Sequence, residues 1–214
     1  QLYLRHLDQL VASVVPETDN AGFPFFSPDG QWVAFFAGGK LKKVPVGGGP
    51  VVTVCDAPVA RGGSWGDDGT IVFTPHQNAG ARLVRVAASG GTPQPVTTLG
   101  PGEAVHRWAQ VLPGAVGVLY TASSSNTGPF DEAKAVVQPL PSGAPKVVQE
   151  RAAHARYLPS GHLVFVRGGT LFAVAFDLRS MEASGQPVPI VENVSYARDT
   201  GGSQFVVSRE GTLL

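Results

Sequence analysis

Gly62-Gly63-Ser64-Trp65-Gly66 fits the G-x-S-x-G pattern in which a serine becomes a nucleophile. That chemistry needs a strand, a strained turn and a supporting helix, with a histidine base nearby. Here Asp67-Asp68-Gly69 and the strand-like run Thr70-Ile71-Val72-Phe73 follow instead. The stretch therefore reads as a strand entering a turn, and Ser64 is not assigned as a nucleophile. His106-Arg107-Trp108 begins like a kinase H-R-D loop, but Trp108 stands where the aspartate is required. No G-x-G-x-x-G loop and no D-F-G occur.

The five histidines, at positions 6, 76, 106, 154 and 162, show no metal-ligand spacing, so no metal is expected. His106 and His154 each fall at the start of an apolar run, where a ligand or a proton could be read. Asp131-Glu132 lies in the long polar stretch 122–133 and lacks a facing carboxylate that sequence can place. Cys55 is the single cysteine and reads as a semi-buried thiol. No catalytic residue and no cofactor are assigned, and the chain reads as non-enzymatic. The alternative is an enzyme or enzyme accessory domain, of glycan-hydrolysing or peptidase-gating type.

The elements that must position these residues repeat along the chain. Turn stretches Ser27–Gly30, Gly66–Gly69, Leu112–Ala115, Leu158–Gly161 and Ser208–Gly211 end 39, 46, 46 and 50 residues apart. A period of about 40 to 50 is that of four-stranded propeller blades. Proline presets φ in such turns and glycine supplies positive φ at the end. Valine-rich and aromatic runs flank each turn, as half-buried strands prefer. The reading is an all-β propeller formed by residues 1–214 as a single domain. Its four complete blades span 23–60, 61–105, 106–153 and 154–195. Segments 1–22 and 201–214 carry complementary half-blades, whose pairing would close a fifth. The chain starts and stops in mid-pattern, as a piece of a longer protein would. A closed ring should be monomeric, and open edges should give oligomers.

In a propeller, the segments joining one blade to the next line one face of the central channel. Arg61, Arg107, Arg156 and Arg198 all fall in such segments. Guanidiniums around one opening suit a small anionic ligand or a protein partner's carboxylates. The candidate ligand-binding residues are therefore Arg61, His106, Arg107, His154, Arg156 and Arg198. Sixteen basic and sixteen acidic residues argue against a nucleic-acid footprint or a membrane-binding patch. No apolar run reaches the roughly 18 residues of a spanning helix.

FPFFSPDGQWVAFFAGGKLKKVPVGGGP, GGSWGDDGTIVF and ARYLPSGHLVFVRGGTLFAVAFD resemble bacterial WD40-like, TolB-related propeller repeats. They are similar above all to propeller regions attached to bacterial eukaryotic-like serine/threonine protein kinases. The resemblance covers nearly the whole chain and is weakest at Leu112–Ala115, where a final glycine is usual. It implies a module that binds, senses or scaffolds beside a kinase domain.

Overall fold

A computed structural model describes residues 1–208 and 211–213. Arg209 and Glu210 of the fifth turn, and Leu214, lie outside the described residues. The chain opens on a two-stranded hairpin, β1 (Leu2–Leu4) and β2 (Ser13–Val15). Four four-stranded antiparallel sheets follow, each in simple chain order. The first holds β3 (Gly22–Phe26), β4 (Trp32–Ala37), β5 (Lys40–Pro45) and β6 (Val52–Asp56). The second holds β7 (Gly63–Trp65), β8 (Thr70–Phe73), β9 (Val84–Ala87) and β10 (Gln94–Pro95). The third holds β11 (Val105–Val111), β12 (Gly117–Ser123), β13 (Lys134–Pro139) and β14 (Lys146–Gln149). The fourth holds β15 (Ala153–Leu158), β16 (His162–Arg167), β17 (Thr170–Asp177) and β18 (Glu182–Val191). A last small hairpin pairs β19 (Tyr196–Ala197) with β20 (Gly202–Ser203).

The second strand of each sheet is buried on both faces, which explains its nearly continuous apolar sequence. Side chains alternate faces along such a strand, so each one serves two neighbours. Ala34 and Phe36 pack against Ile71 and Phe73 of the second sheet. Val33 and Phe35 face the other way, toward Leu2 and Val15 of the N-terminal hairpin. Leu119 packs toward Leu163 and Phe165, whereas Val118 and Tyr120 pack toward Val72 and Leu83. Val164 and Val166 close the series against Tyr196, Phe205 and Val207.

The two terminal halves of the expected fifth blade form separately. β1 pairs with β2, and Val207 bridges Leu213. Each half lies on a complete blade, and no backbone hydrogen bond joins the two among the described residues. The segment that follows the fourth blade carries the β19–β20 hairpin. Helix is confined among the described residues to one 3-10 turn at Pro113–Ala115.

All five turns close with the same bond, from the N–H of the last residue to the first residue's carbonyl, at 2.9–3.1 Å. The last residue has positive φ in every case: Gly30, Gly69, Gly161 and Gly211, with Ala115 at 53°. Gly114, at φ 68° and ψ 13°, fits the third position of a type II turn. Ala115 thus adopts the left-handed conformation that glycine adopts at the other four turn ends.

A second repeated feature was not read from the sequence. Seven residues before each of the first four turn ends, the backbone is again left-handed. These residues are Phe23 (φ 51°), Gly62 (79°), Trp108 (58°) and His154 (50°). In three inner strands the pairing register slips there. Such bulges bend a strand and re-aim a side chain. Here they bring Phe23, Trp108 and His154 into one aromatic cluster, Phe23 edge-on to Trp108 and His154 tilted against it, with centroids 5.5 and 4.9 Å apart. Gly62 leaves room for it: a Cβ there would sit 2.9 Å from Cε3 of Trp108.

Gly62→Ala should cost about 2–3 kcal/mol, from left-handed strain plus overpacking against Trp108. Gly69→Ala, equally left-handed but facing open space, should cost only about 1 kcal/mol. Urea denaturation of both variants checks the contrast.

Candidate functional site

Up-and-down strand order puts the blade-to-blade connections and the β8–β9, β12–β13 and β16–β17 connections on one face. Arg61 and Arg107 stand on this face at equivalent places, each immediately before a left-handed residue. Trp108 anchors the mouth between them. Its Nε1 donates to the Thr200 carbonyl at 2.9 Å, which fastens the β19–β20 hairpin over the channel. Gly202 lies against the Trp108 ring and Gly201 against Phe130, at approaches that a Cβ would block. Ser203 N–H donates to His154 Nδ1 at 2.8 Å.

Arg107 is 1% exposed and is bound by carbonyls alone. Its Nη2 donates to Asn126 at 2.6 Å and Gln77 at 3.2 Å, and its Nη1 to Thr200 at 3.3 Å. The Phe130 ring lies 4.8 Å beneath the guanidinium. Arg61 donates to the Ala60 carbonyl at 3.0 Å and to the Gln77 side-chain carbonyl. The Nε atoms of both arginines are shielded and lack a hydrogen-bond partner among the described residues. Neither arginine forms an ion pair among the described residues. Burial, then repulsion by Arg61, pushes the Arg107 pKa down to about 10, with Asp199 opposing. Arg61 is lowered by burial and supported by Asp199. Arg61, Gln77, Arg107, Asn126, Asp199 and Thr200 line a cavity of about 270 Å³.

The other four candidates stand elsewhere, which corrects the picture of a common ring around the mouth. His106 is fully buried. The Leu83 N–H donates to Thr97 Oγ1 at 3.0 Å, leaving that hydroxyl to donate to His106 Nδ1 at 2.8 Å. Nε2–H then donates to Glu103 at 2.9 Å, so His106 is a neutral strut between two blades. His154 is held between Trp108 and Phe205. Both of its ring nitrogens face donors, Ser203 N–H and Arg156 Nη2, and this opposes protonation. Arg156 points into the interior, bonded to the Trp108 and Ala155 carbonyls at 2.7 and 3.0 Å. Burial pushes its pKa down to about 10. Arg198 is exposed and engages Asp131 in an ion pair at a second groove.

Ser64 is structural: its Oγ accepts the Val111 N–H of the next blade at 2.9 Å. Gln110 makes the equivalent bond to Tyr157 N–H at 2.7 Å. Cys55 is buried, and burial, then Asp56, raises its thiol pKa to about 11. Sequence reasoning missed Gln77, Asn126, Asp199 and Thr200 at the mouth, and Trp108 beneath it. Repeat register carried part of the signal, since Arg61 and Arg107 both lie eight residues before a turn end whereas Arg156 lies five before.

No family model matches the chain, and no curated protein matches it by sequence. Solved structures do. TolB from Acinetobacter baumannii superposes with a TM-score of 0.68 at 14% identity, over 89% of this chain and 49% of its own. A gluconolactonase from Xanthomonas campestris gives 0.68 at 12% identity, over 90% and 68%. A luciferin-regenerating enzyme gives 0.60 at 12% identity, over 90% and 67%. The chain is thus a β-propeller fold, spanning about half the length of TolB. The expectation of a non-enzymatic chain is corrected here. Enzymes stand among the structures that share its fold, so the fold carries no such exclusion.

The buried groups set a pH dependence. Burial lowers the pKa of His106 despite Glu103, and holds that of His154 well below the ordinary value. Both folded-state values lie below the unfolded ones, so the fold favours the neutral imidazoles. Their contribution is complete above about pH 6.5 and is lost as pH falls below it. Burial alone would raise Glu103, but bonds from His106 and the Gly100 N–H outweigh it and hold it low. Glu103 therefore adds a further loss as pH falls through the carboxylate range. Stability should therefore fall as pH drops below about 6.5, by at most about 3 kcal/mol per pH unit if both imidazoles take up a proton. His106→Gln should make that slope shallower in denaturant titrations at pH 7, 6 and 5.

Proposed function

We propose that this chain is a ligand-binding propeller module whose channel mouth holds a small oxyanion between Arg61 and Arg107. The observation that carries this reading is the pair itself. Two guanidiniums from equivalent places in adjacent blades share one cavity, and among the described residues neither forms an ion pair and both Nε–H groups are unbonded. One carboxylate, Asp199, faces two guanidiniums across this cavity, so one positive charge remains uncancelled, and a bound oxyanion offsets it through charge-assisted bonds. The amide and hydroxyl groups of Gln77, Asn126 and Thr200 suit hydroxyls on the same ligand. The resemblance of the repeats to kinase-attached propellers supports a sensory or protein-interaction role for such a module.

Citrate and inorganic phosphate are suitable probes, titrated by calorimetry. Arg61→Gln, at the more exposed of the two arginines, should weaken the better-bound probe about tenfold without altering the melting temperature appreciably. Added salt should weaken binding further. Unchanged affinity in Arg61→Gln would sink the proposal.

Asp199 favours a second reading. It is a carboxylate on the wall of the same cavity, where it can take a proton from a bound substrate. The gluconolactonase that shares the fold makes gluconolactone the first substrate to try. Hydrolysis by the native chain, lost in Asp199→Asn while citrate or phosphate still binds, would establish turnover.

A further inference from the structure

A second groove opens on the same face, beyond the β19–β20 hairpin. Its volume is about 570 Å³, and Asp131, Glu132, Arg151, Arg167, Tyr196 and Arg198 line it. The charges do not cancel. Arg198 engages Asp131, and Arg151 Nε lies 3.3 Å from Glu132. Arg167 is the third cation and forms no ion pair among the described residues.

Arg167 is nevertheless rigidly held. Its guanidinium lies 5.1 and 5.4 Å from the rings of Phe172 and Phe165, which stack on each other. Nε donates to the Arg151 carbonyl at 2.9 Å and Nη2 to the Glu150 carbonyl at 3.1 Å. Nη1 has no protein acceptor among the described residues. A fixed fork with a free edge and one uncancelled positive charge matches a single carboxylate.

Two further groups in the wall lack partners. Asp131 Oδ1 and the Tyr196 hydroxyl are shielded from solvent and have no hydrogen-bond partner among the described residues. Buried polar atoms of this kind are uncommon, and each needs an account. A ligand N–H suits Asp131. The rest of the wall is apolar or bare: Val194 and the turn Gly168-Gly169, where φ is 57° and 80° and no side chain intrudes.

We propose that this groove binds an N-acylated apolar α-amino acid through its carboxylate, with Arg167 as the anchor. The carboxylate meets Arg167, the amide N–H turns toward Asp131, and the apolar side chain lies on Val194 and the glycine turn. Two sources share this chemistry, a free N-acyl amino acid and the carboxyl end of a peptide. The groove is separate from the Arg61–Arg107 cavity, so either site can fail without the other.

The probes are acetyl-leucine, acetyl-leucine amide and an acetylated tetrapeptide ending in leucine, titrated against the ¹⁵N-labelled chain by NMR. The acid and the peptide should bind saturably, shifting the amides of Gly168, Gly169 and Val194. The amide should bind at least about tenfold more weakly. Arg167→Gln should produce the same loss with the acids, and Arg167→Lys a smaller one, because charge remains while fork and stacking go. A peptide much tighter than acetyl-leucine assigns the groove to chain ends, and equal affinities assign it to free acids. Equal binding of acid and amide, undiminished binding by both Arg167 variants, or no saturable binding of either acid overturns the proposal.

Discussion

Trp108 on the channel axis is the constraint around which the inner ring is arranged. An aromatic side chain with φ of 58° stores strain that its surroundings must offset. The surroundings do so from four directions. Phe23 meets the ring edge-on, His154 lies tilted against it, Gly62 leaves it space, and Thr200 accepts its N–H. The Trp108 N–H bonds to the Arg61 carbonyl, and its own carbonyl accepts from Arg156. One residue of the third blade thus touches the first, second and fourth blades and the final hairpin. Such a ring needs no wide water-filled pore, because its repeated bulges fill the axis with side chains.

The same bulge creates the site. The residue before each left-handed position is Gly22, Arg61, Arg107 or Ala153. Two adjacent blades carry arginine there, and two carry a residue too small to reach the mouth. Adjacency forces the two guanidiniums together, and burial of Arg107 removes the water that would screen them. Fixing Arg107 between three carbonyls leaves its charge unneutralised while satisfying most of its donors. Polar satisfaction without charge satisfaction is what distinguishes this pair from the surface pairs Lys40–Asp56 and Lys134–Glu150.

The blades were legible because their turns obey backbone rules that depend on residue type alone. Glycine at the turn end and proline or aspartate before it can be read without knowing any neighbour. Even the irregular Leu112–Ala115 turn kept its place, since its closing bond is independent of which residue is last. The inner bulges were illegible for the opposite reason. Phe23, Trp108 and His154 are poor left-handed residues, and only packing around the axis holds them there. The site was half legible. Membership of a connecting segment brought Arg61 and Arg107 forward, but it equally brought forward Arg156, whose direction is set by strand register. His106 resembled a rim residue because sequence does not show Thr97 and Glu103 closing over it from another blade. Arg198 was drawn away by Asp131, 67 positions earlier, a distance no local pattern spans.

A zero net charge therefore says less about ligands than it first suggests. It excludes a broad basic surface, yet the charge need not be evenly laid out. Arg61, Arg107, Arg151, Arg167 and Arg198 all stand on the face that carries the blade-to-blade connections. The acids near them divide unevenly: Asp131 and Glu132 are in ion pairs at one groove, and Asp199, at the other, forms none among the described residues. Segment 196–203 separates the two, presenting Arg198 to the first and Asp199 and Thr200 to the second. A single exposed hairpin, fastened through Trp108 and His154, thus sets the local charge of both cavities. Its position is fixed by hydrogen bonds to the aromatic cluster, so the geometry of the axis reaches the surface where ligands would meet it.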